Sequence, residues 1–410
     1  MNWKLIRLID AYAGIPLVYL FVALRKVLRH RRRNRSSEDS QKFLVVKFWG
    51  MGNIFMLLPS IFALRKSFPA ARVDLLTLKS NKDVADAVVT FDHIYTIDTA
   101  SIITFIKTCI LNYKALSVND YDVSIDFEHF ARFSALVSAL ICRGDTVGFN
   151  TTGQHRHHLY SHPVAYDNTV HITGSFFALA AQAGAVGADY AESFISLNQL
   201  VKARAKSEIL GDLAIPSCET VIVMHVGTSA NFSERRWPVQ HFARLINLLI
   251  DSYDVLIICT GLSEEVPVVN QVMERFRSCD RVIDVSGKLT FRQYFELIKA
   301  SDIVISADTA PVHIASACGI PVIGLYGPNT PLLYGPWGER SAFFYSALSC
   351  SPCITNFNAK IHTCRHQEGK GACMEKITAE EVFQKIKDYY LDSDAKYKSP
   401  KIVKVPSCAA

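Results

Sequence analysis

Short apolar runs alternate along this chain with stretches in which apolar residues recur every three or four positions, the pattern of strands crossed by amphipathic helices. Residues 43–48 (FLVVKF) read as a buried strand, and the glycine-bearing WGMGN follows as a loop. Residues 54–68 have helical spacing, with Pro59 early, where its missing N–H costs least. Strands are expected again at 72–78, 121–127 (YDVSIDF) and 146–149, with an apolar helix over 133–141. This order predicts a parallel sheet with right-handed crossovers. After the turn-rich residues 211–219 (GDLAIPSCE) the pattern restarts. Strands are expected at 220–225, 255–260, 282–284, 303–306 and 322–326, and helices at 241–251, 264–276, 291–300 and 311–318. The fold class is therefore α/β, with two doubly wound lobes. Ligands in such sheets bind beyond the carboxyl ends of the strands, and the cleft between two lobes is the default site.

Composition adds little to this until charge is located. Half of the 410 residues are hydrophobic and a fifth are charged, as in an ordinary folded protein. Of the net charge of +6, residues 1–35 hold nine Lys and Arg (Lys4, Arg7, Arg25, Lys26, Arg29, Arg31, Arg32, Arg33, Arg35) against one acid, Asp10. The remainder is slightly acidic and the basic block lacks interleaved aromatics, so no nucleic acid is expected as a partner. That block follows the apolar residues 11–24 (AYAGIPLVYLFVAL), interrupted by Gly14 and Pro16. The run is shorter than the roughly 20 residues of a spanning helix. With the heavier charge after the apolar run and no cleavage site, residues 1–35 are expected to be a retained membrane-anchor helix, monotopic or barely spanning. Its polybasic tail suits anionic membrane lipids. The positive-inside rule then puts everything after residue 35 in the cytoplasm. The expected organisation is anchor 1–35, first lobe 36–212, second lobe 213–376 and a C-terminal helix and tail, 377–410.

Of the 11 cysteines, Cys109, Cys142, Cys259 and Cys318 sit in apolar runs as core thiols. Cys350, Cys353, Cys364 and Cys373 crowd into one segment as a CxxC followed by two further thiols. That donor set suggests a structural zinc, with free thiols or a disulfide as the other readings.

Three strand-end loops carry candidate chemistry. In residues 49–53 (WGMGN), glycines allow close backbone approach and the following helix offers free N–H groups to an anion. In residues 225–238 (HVGTSANFSERRWP), a strand ends in Thr228 and Ser229, and Arg235 and Arg236 precede the next helix, where arginine can neutralise a diphosphate. In residues 306–313 (SADTAPVH), Asp308 follows the strand, Thr309 is placed to cap the helix, Pro311 occupies its first turn and His313 lies near the same end. A further polar loop holds His155, Arg156, His157, His158 and His162, suited to an anionic acceptor or simply solvated.

These residues carry a resemblance. VVKFWGMGNIFMLLPSIFALRKSFPAARVDLLT resembles the opening motif of glycosyltransferase family 9, the ADP-heptose:lipopolysaccharide heptosyltransferases. HVGTSANFSERRWPVQHFARLI is similar to the family's second motif, and SADTAPVHIASACGIPVIGLYGPNTP closely resembles its third. The resemblance runs from about residue 42 to residue 380. It implies a GT-B fold of two Rossmann-like lobes and an inverting transfer that needs no metal or cofactor. It also implies a nucleotide-diphosphate sugar donor, such as ADP-heptose, in the second lobe, and a lipid-linked saccharide acceptor. By motif position it assigns donor phosphates to Arg235, and phosphate or sugar contacts to Thr228, Ser229, Asp308, Thr309 and His313. The nucleotide ribose falls to Glu264, and Ala310 stands where glycine is usual. The family's general base is an aspartate in a Gly-Asp pair, and here the pair is Gly52-Asn53. An amide has no useful basicity, so Asn53 is expected to orient the acceptor, with Asp126 or Glu128 as replacement base. A catalytically silent nucleotide-sugar or glycolipid binder is the alternative.

Overall fold

The structure is a computed structural model. It describes residues 10, 12–28, 41–185, 190, 193, 197, 204–228, 230–338, 340–354, 364, 366, 367 and 369–391. The chain divides into two compact units, residues 1–195 and 196–410.

In the first unit, β1 (Lys42–Val46), β2 (Arg72–Leu78), β3 (His93–Ile97), β4 (Val123–Asp126), β5 (Asp145–Asn150) and β6 (His162–Ala165) form one sheet in the order β3-β2-β1-β4-β5-β6. Every neighbouring pair is parallel. Phe43 to Val46 are all buried, because a central parallel strand is covered on both faces and needs a continuous apolar run. The second unit repeats the plan. Its strands β7 (Thr220–His225), β8 (Val255–Thr260), β9 (Val282–Asp284), β10 (Ile303–Ala307), β11 (Val322–Tyr326) and β12 (Ser341–Tyr345) are ordered β12-β11-β10-β7-β8-β9, again parallel throughout. Both units are Rossmann-like.

Six helices matter below: α1 (Gly14–Leu28), α2 (Met51–Met56), α3 (Leu58–Ser67), α4 (Ile102–Ser117), α5 (Arg132–Ile141) and α6 (Ala310–Cys318). The single helix expected over residues 54–68 is two. It starts at Met51 and breaks at Leu57, and Pro59 sits in the first turn of α3, where proline removes no intrahelical bond.

The spanning form of the anchor expectation finds no support. Among the described residues no helix is long and apolar enough to cross a membrane. Helix α1 has 15 residues, about 22 Å at 1.5 Å each, against roughly 30 Å of hydrocarbon. It packs onto the first unit instead, with Val18, Phe21 and Val22 against Ala135, Leu136, Ala139, Leu159 and Tyr160. Helix α5 begins after Ala131, which cannot cap it. Asp10 caps it from a distance in sequence, accepting from the backbone N–H groups of Arg132 and Phe133 at 3.0 Å each. The polybasic residues from Arg29 to Arg35 lie outside the described residues.

Candidate active site

Each sheet starts at its centre and grows outward on both sides, so each has one switch point, between β1 and β4 and between β7 and β10. Loops diverge there, leaving room for a ligand. In the second unit β7 pairs with β10 through His225 and Ser306 and with β8 through His225 and Thr260, while Ala307 of β10 pairs with Leu325 of β11. The loops after β11, β10, β7 and β8 therefore leave the carboxyl edge side by side.

Arg235, at the end of the 3-10 turn Ala230–Arg235, reaches the loop after β10. Its Nη1 donates to the Asp308 carbonyl at 3.0 Å and stands 3.6 Å from Oδ2 of the same residue. Asn329, after β11, donates to Asp308 Oδ2 at 2.8 Å. Burial raises the Asp308 pKa, and Arg235 and Asn329 pull against that rise. The Thr309 hydroxyl bonds Ser306 Oγ at 2.9 Å and the Ala307 carbonyl at 3.3 Å, and no side chain caps α6. The expected cap is thus corrected: Thr309 fastens the loop to its strand. An uncapped helix start beside a guanidinium is an anion seat. Ala310 is an ordinary helical residue without positive φ, so alanine causes no backbone strain there. His313 is buried in α6, and its ring stacks on Trp337 at 5.9 Å between centroids.

Thr228 is buried beyond β7, and its hydroxyl has no hydrogen-bond partner among the described residues. Ser229 lies outside them. Glu264 is exposed, and the residue turned inward is its neighbour Glu265. The Glu265 carboxylate accepts from Leu262 N–H at 2.7 Å and lies 3.7 Å from His225 Nε2. It fills the space over Gly227, where a Cβ would come within 2.0 Å of Oε2. Burial holds His225 neutral, with its pKa depressed to about 4, and outweighs the nearby carboxylate. Its Nδ1 shares a hydrogen bond of 3.0 Å with the Thr260 hydroxyl. Sequence reasoning missed Glu265, Asn329 and Trp337. Gly227 is the one sequence signal that something must press against that loop.

At the switch point of the first unit, Glu128 ties the loops after β1 and β4 together. Its Oε1 accepts from Phe48 N–H at 2.7 Å, Trp49 N–H at 2.9 Å and Lys47 Nζ at 2.9 Å. Asn53 lies in the first turn of α2, half-buried, and its amide donates to the Trp49 carbonyl at 3.2 Å. Gly50 precedes α2 with φ of 89°, a conformation that favours glycine. Asp126 has no exposure to solvent. Its Oδ2 accepts from Arg156 at 2.5 Å, Tyr160 OH at 2.7 Å and Ser134 Oγ at 2.8 Å, and its Oδ1 from Glu128 N–H at 3.0 Å. A general base must reach its proton donor, and in this geometry Asp126 and Glu128 both hold the fold. Arg156, expected in a solvated or acceptor-binding loop, is fully buried and also donates to the Glu128 carbonyl.

Among the described residues no group of His, Cys, Asp or Glu is arranged to hold a metal ion. Cys350, Cys353, Cys364 and Cys373 are free thiols. They lie near enough for three of them to help raise the Cys373 pKa, to about 11, behind the larger effect of burial. The zinc expectation therefore rests on the donor set alone. Cys142, Cys259 and Cys318 are buried and Cys109 is partly buried, as expected of core thiols.

The model of glycosyltransferase family 9 (heptosyltransferase) matches residues 112–362. The chain belongs to glycosyltransferase family 9. Among relatives of this family 9 chain, lipooligosaccharide heptosyltransferase 2 of Campylobacter jejuni is 24% identical over 184 residues, covering 44% of this chain and 55% of the relative. Lipopolysaccharide heptosyltransferase 3 of Escherichia coli is 24% identical over 305 residues, covering 72% of this chain and 85% of the relative. The chain thus spans about half the length of the Campylobacter relative. Two solved structures share the fold. A family 9 glycosyltransferase from Veillonella parvula has a TM-score of 0.72 at 17% identity, covering 88% of this chain and 100% of its own. E. coli heptosyltransferase WaaC with ADP has a TM-score of 0.63 at 18% identity, covering 85% and 100%.

Proposed function

We propose that this family 9 chain is an inverting glycosyltransferase that moves a heptose from ADP-heptose to a lipid-linked saccharide of the lipopolysaccharide type. The transfer takes place at the cytoplasmic face of the bacterial inner membrane and needs no metal or cofactor. The observation that supports it most is Arg235 held against Asp308 at the uncapped start of α6. In the transfer, the bond from the sugar carbon to the diphosphate breaks and its electron pair goes to the phosphate oxygen. The acceptor hydroxyl oxygen forms the new bond to that carbon and gives up its proton to solvent water. Arg235 and the helix start stabilise the diphosphate as its charge grows. Asp308 and Thr228 address the sugar or phosphate, and His313 lines the same end of α6. The solved complexes of E. coli WaaC with ADP and with ADP-2-deoxy-2-fluoro heptose support this donor class.

The test is turnover with a panel of nucleotide sugars and membrane lipid extracts, read by product mass, on the parent and on Asn53→Asp. The reading predicts transfer from ADP-heptose and faster transfer in Asn53→Asp, which supplies a carboxylate at the acceptor side. Nucleotide binding without transfer in either protein makes the chain a silent nucleotide-sugar binder. Failure to bind any nucleotide defeats both.

A further inference from the structure

Three helices of the first unit lie side by side with α5 in the middle. On one flank α1 packs through Val18, Phe21 and Val22 onto Ala135, Leu136 and Ala139 of α5. On the other flank Phe105 and Cys109 of α4 pack with Phe133 and Val137 of α5. Most of the outward residues of this layer are apolar. On α1 they are Leu17, Leu20 and Leu24, on α5 Leu140, and on α4 Ile102, Ile103, Ile106 and Ile110, all exposed. Ile103 is 79% exposed and Leu20 56%. Solitary exposed leucines need no explanation, but a contiguous sheet of them spread over three helices marks an interaction surface.

The charge on this layer shows what it meets. None of the three helices contains an Asp or Glu. Lys107 and Lys114 stand exposed on α4 among the isoleucines. The sequence continues from α1 into the basic run from Arg25 to Arg35. A protein partner would be met equally well by charges of both signs. Apolar side chains on helices whose only charged residues are cations fit an anionic lipid surface, where the isoleucines enter the acyl boundary and the lysines meet phosphate.

We propose that the outer face of α1, α5 and α4 docks in the plane of an anionic bilayer, with α4 as a second contact independent of the N-terminal segment. The proposal extends the lipid-linked-acceptor reading above. Vesicle binding measured without donor or acceptor keeps the two separable, since either can fail alone.

The experiment is flotation of the full chain with vesicles of phosphatidylglycerol and phosphatidylethanolamine, and with phosphatidylcholine alone. The parent is compared with Ile103→Asp/Ile106→Asp and with Lys107→Gln/Lys114→Gln. The expected result is parent binding that prefers anionic vesicles, and a loss of about tenfold or more in partition for the isoleucine variant. The lysine variant prefers anionic lipid less strongly than the parent does, the basic run from Arg25 to Arg35 keeping the remainder. An unchanged melting temperature shows that each variant is folded, and the lysine variant carries the test alone if the other is not. Equal binding by parent and folded variants overturns the proposal, as does a parent that ignores anionic vesicles. If the isoleucine variant abolishes a concentration-dependent dimer yet binds vesicles like the parent, the face belongs to a second copy of the chain.

Discussion

Replacing Arg235 by alanine removes the cation at the start of α6 while leaving the fold of the second unit little disturbed. In the protein Arg235 makes one hydrogen bond of 3.0 Å to the Asp308 carbonyl and stands 3.6 Å from its carboxylate. A charge-assisted contact with a ligand diphosphate contributes about 1.5–3 kcal/mol. ADP affinity should then fall about ten- to hundredfold. A second consequence follows from burial. Arg235 is one of the groups that hold the Asp308 pKa down against desolvation. Without it that pKa rises further, and any step needing ionised Asp308 shifts to higher pH. Arg235→Lys keeps the charge but not the planar fork, and should fall between the two. Titration calorimetry with ADP at two salt concentrations reads the binding term, and the parent should be the more salt-sensitive. If Arg235→Ala binds ADP as the parent does, at equal thermal stability, the phosphate seat is elsewhere.

Three further outcomes follow. Gly227→Ala should cost about 2–4 kcal/mol in urea unfolding, because its Cβ would lie 2.0 Å from Glu265 Oε2. Adding Glu265→Ala should recover part of that, and strict additivity would show the two sites independent. His225 has its pKa lowered by burial to about 4. It is therefore neutral in both states above pH 6.5, and between 6.5 and 4 only the unfolded chain takes the proton. Stability should decline by up to about 3 kcal/mol as pH falls through that window, and His225→Gln should flatten that part of the curve relative to the parent. An unchanged slope removes His225 from the acid response. Finally, protein purified without added metal should carry about one zinc if the cysteine segment forms a tetrahedral clip, lost in Cys353→Ser, whereas four titratable thiols and no metal end that proposal.

The central strands were legible because a parallel strand covered on both faces must be apolar throughout, as FLVV in β1 and IVISA in β10 are. The strands absent from the sequence reading are β3, β6 and β12, and each lies at a sheet edge. Edge strands are covered less, so their sequences mix polar and apolar residues, and β6 even tolerates Pro163. Helix α4 was missed for the opposite reason. Its isoleucines do not face a core, so its apolar residues do not form the single stripe by which an amphipathic helix is read. At the site, motif position brought Arg235 and Asp308 together correctly, because strand-end residues follow from strand order. It assigned the ribose to Glu264, which the structure leaves exposed, while Glu265 of the same 3-10 turn is the one turned inward.

Asn53 shows how a polar substitution can hold a loop in place of doing chemistry. Its Nδ2 donates to the Trp49 carbonyl at 3.2 Å, and the same loop is gripped by Glu128 through Phe48 and Trp49. An aspartate at this position has no proton for that carbonyl at neutral pH, so two oxygens would face each other and the carboxylate would have to turn away. Turning is favourable here, because the residue sits in the first turn of α2, where the helix start stabilises an anion by about 0.3–1 kcal/mol. The lost hydrogen bond costs about as much. Asn53→Asp should therefore leave stability nearly unchanged and hold its carboxylate below the usual range. A protein that loses several degrees in melting temperature would show that the amide bond to Trp49 is needed for the loop itself.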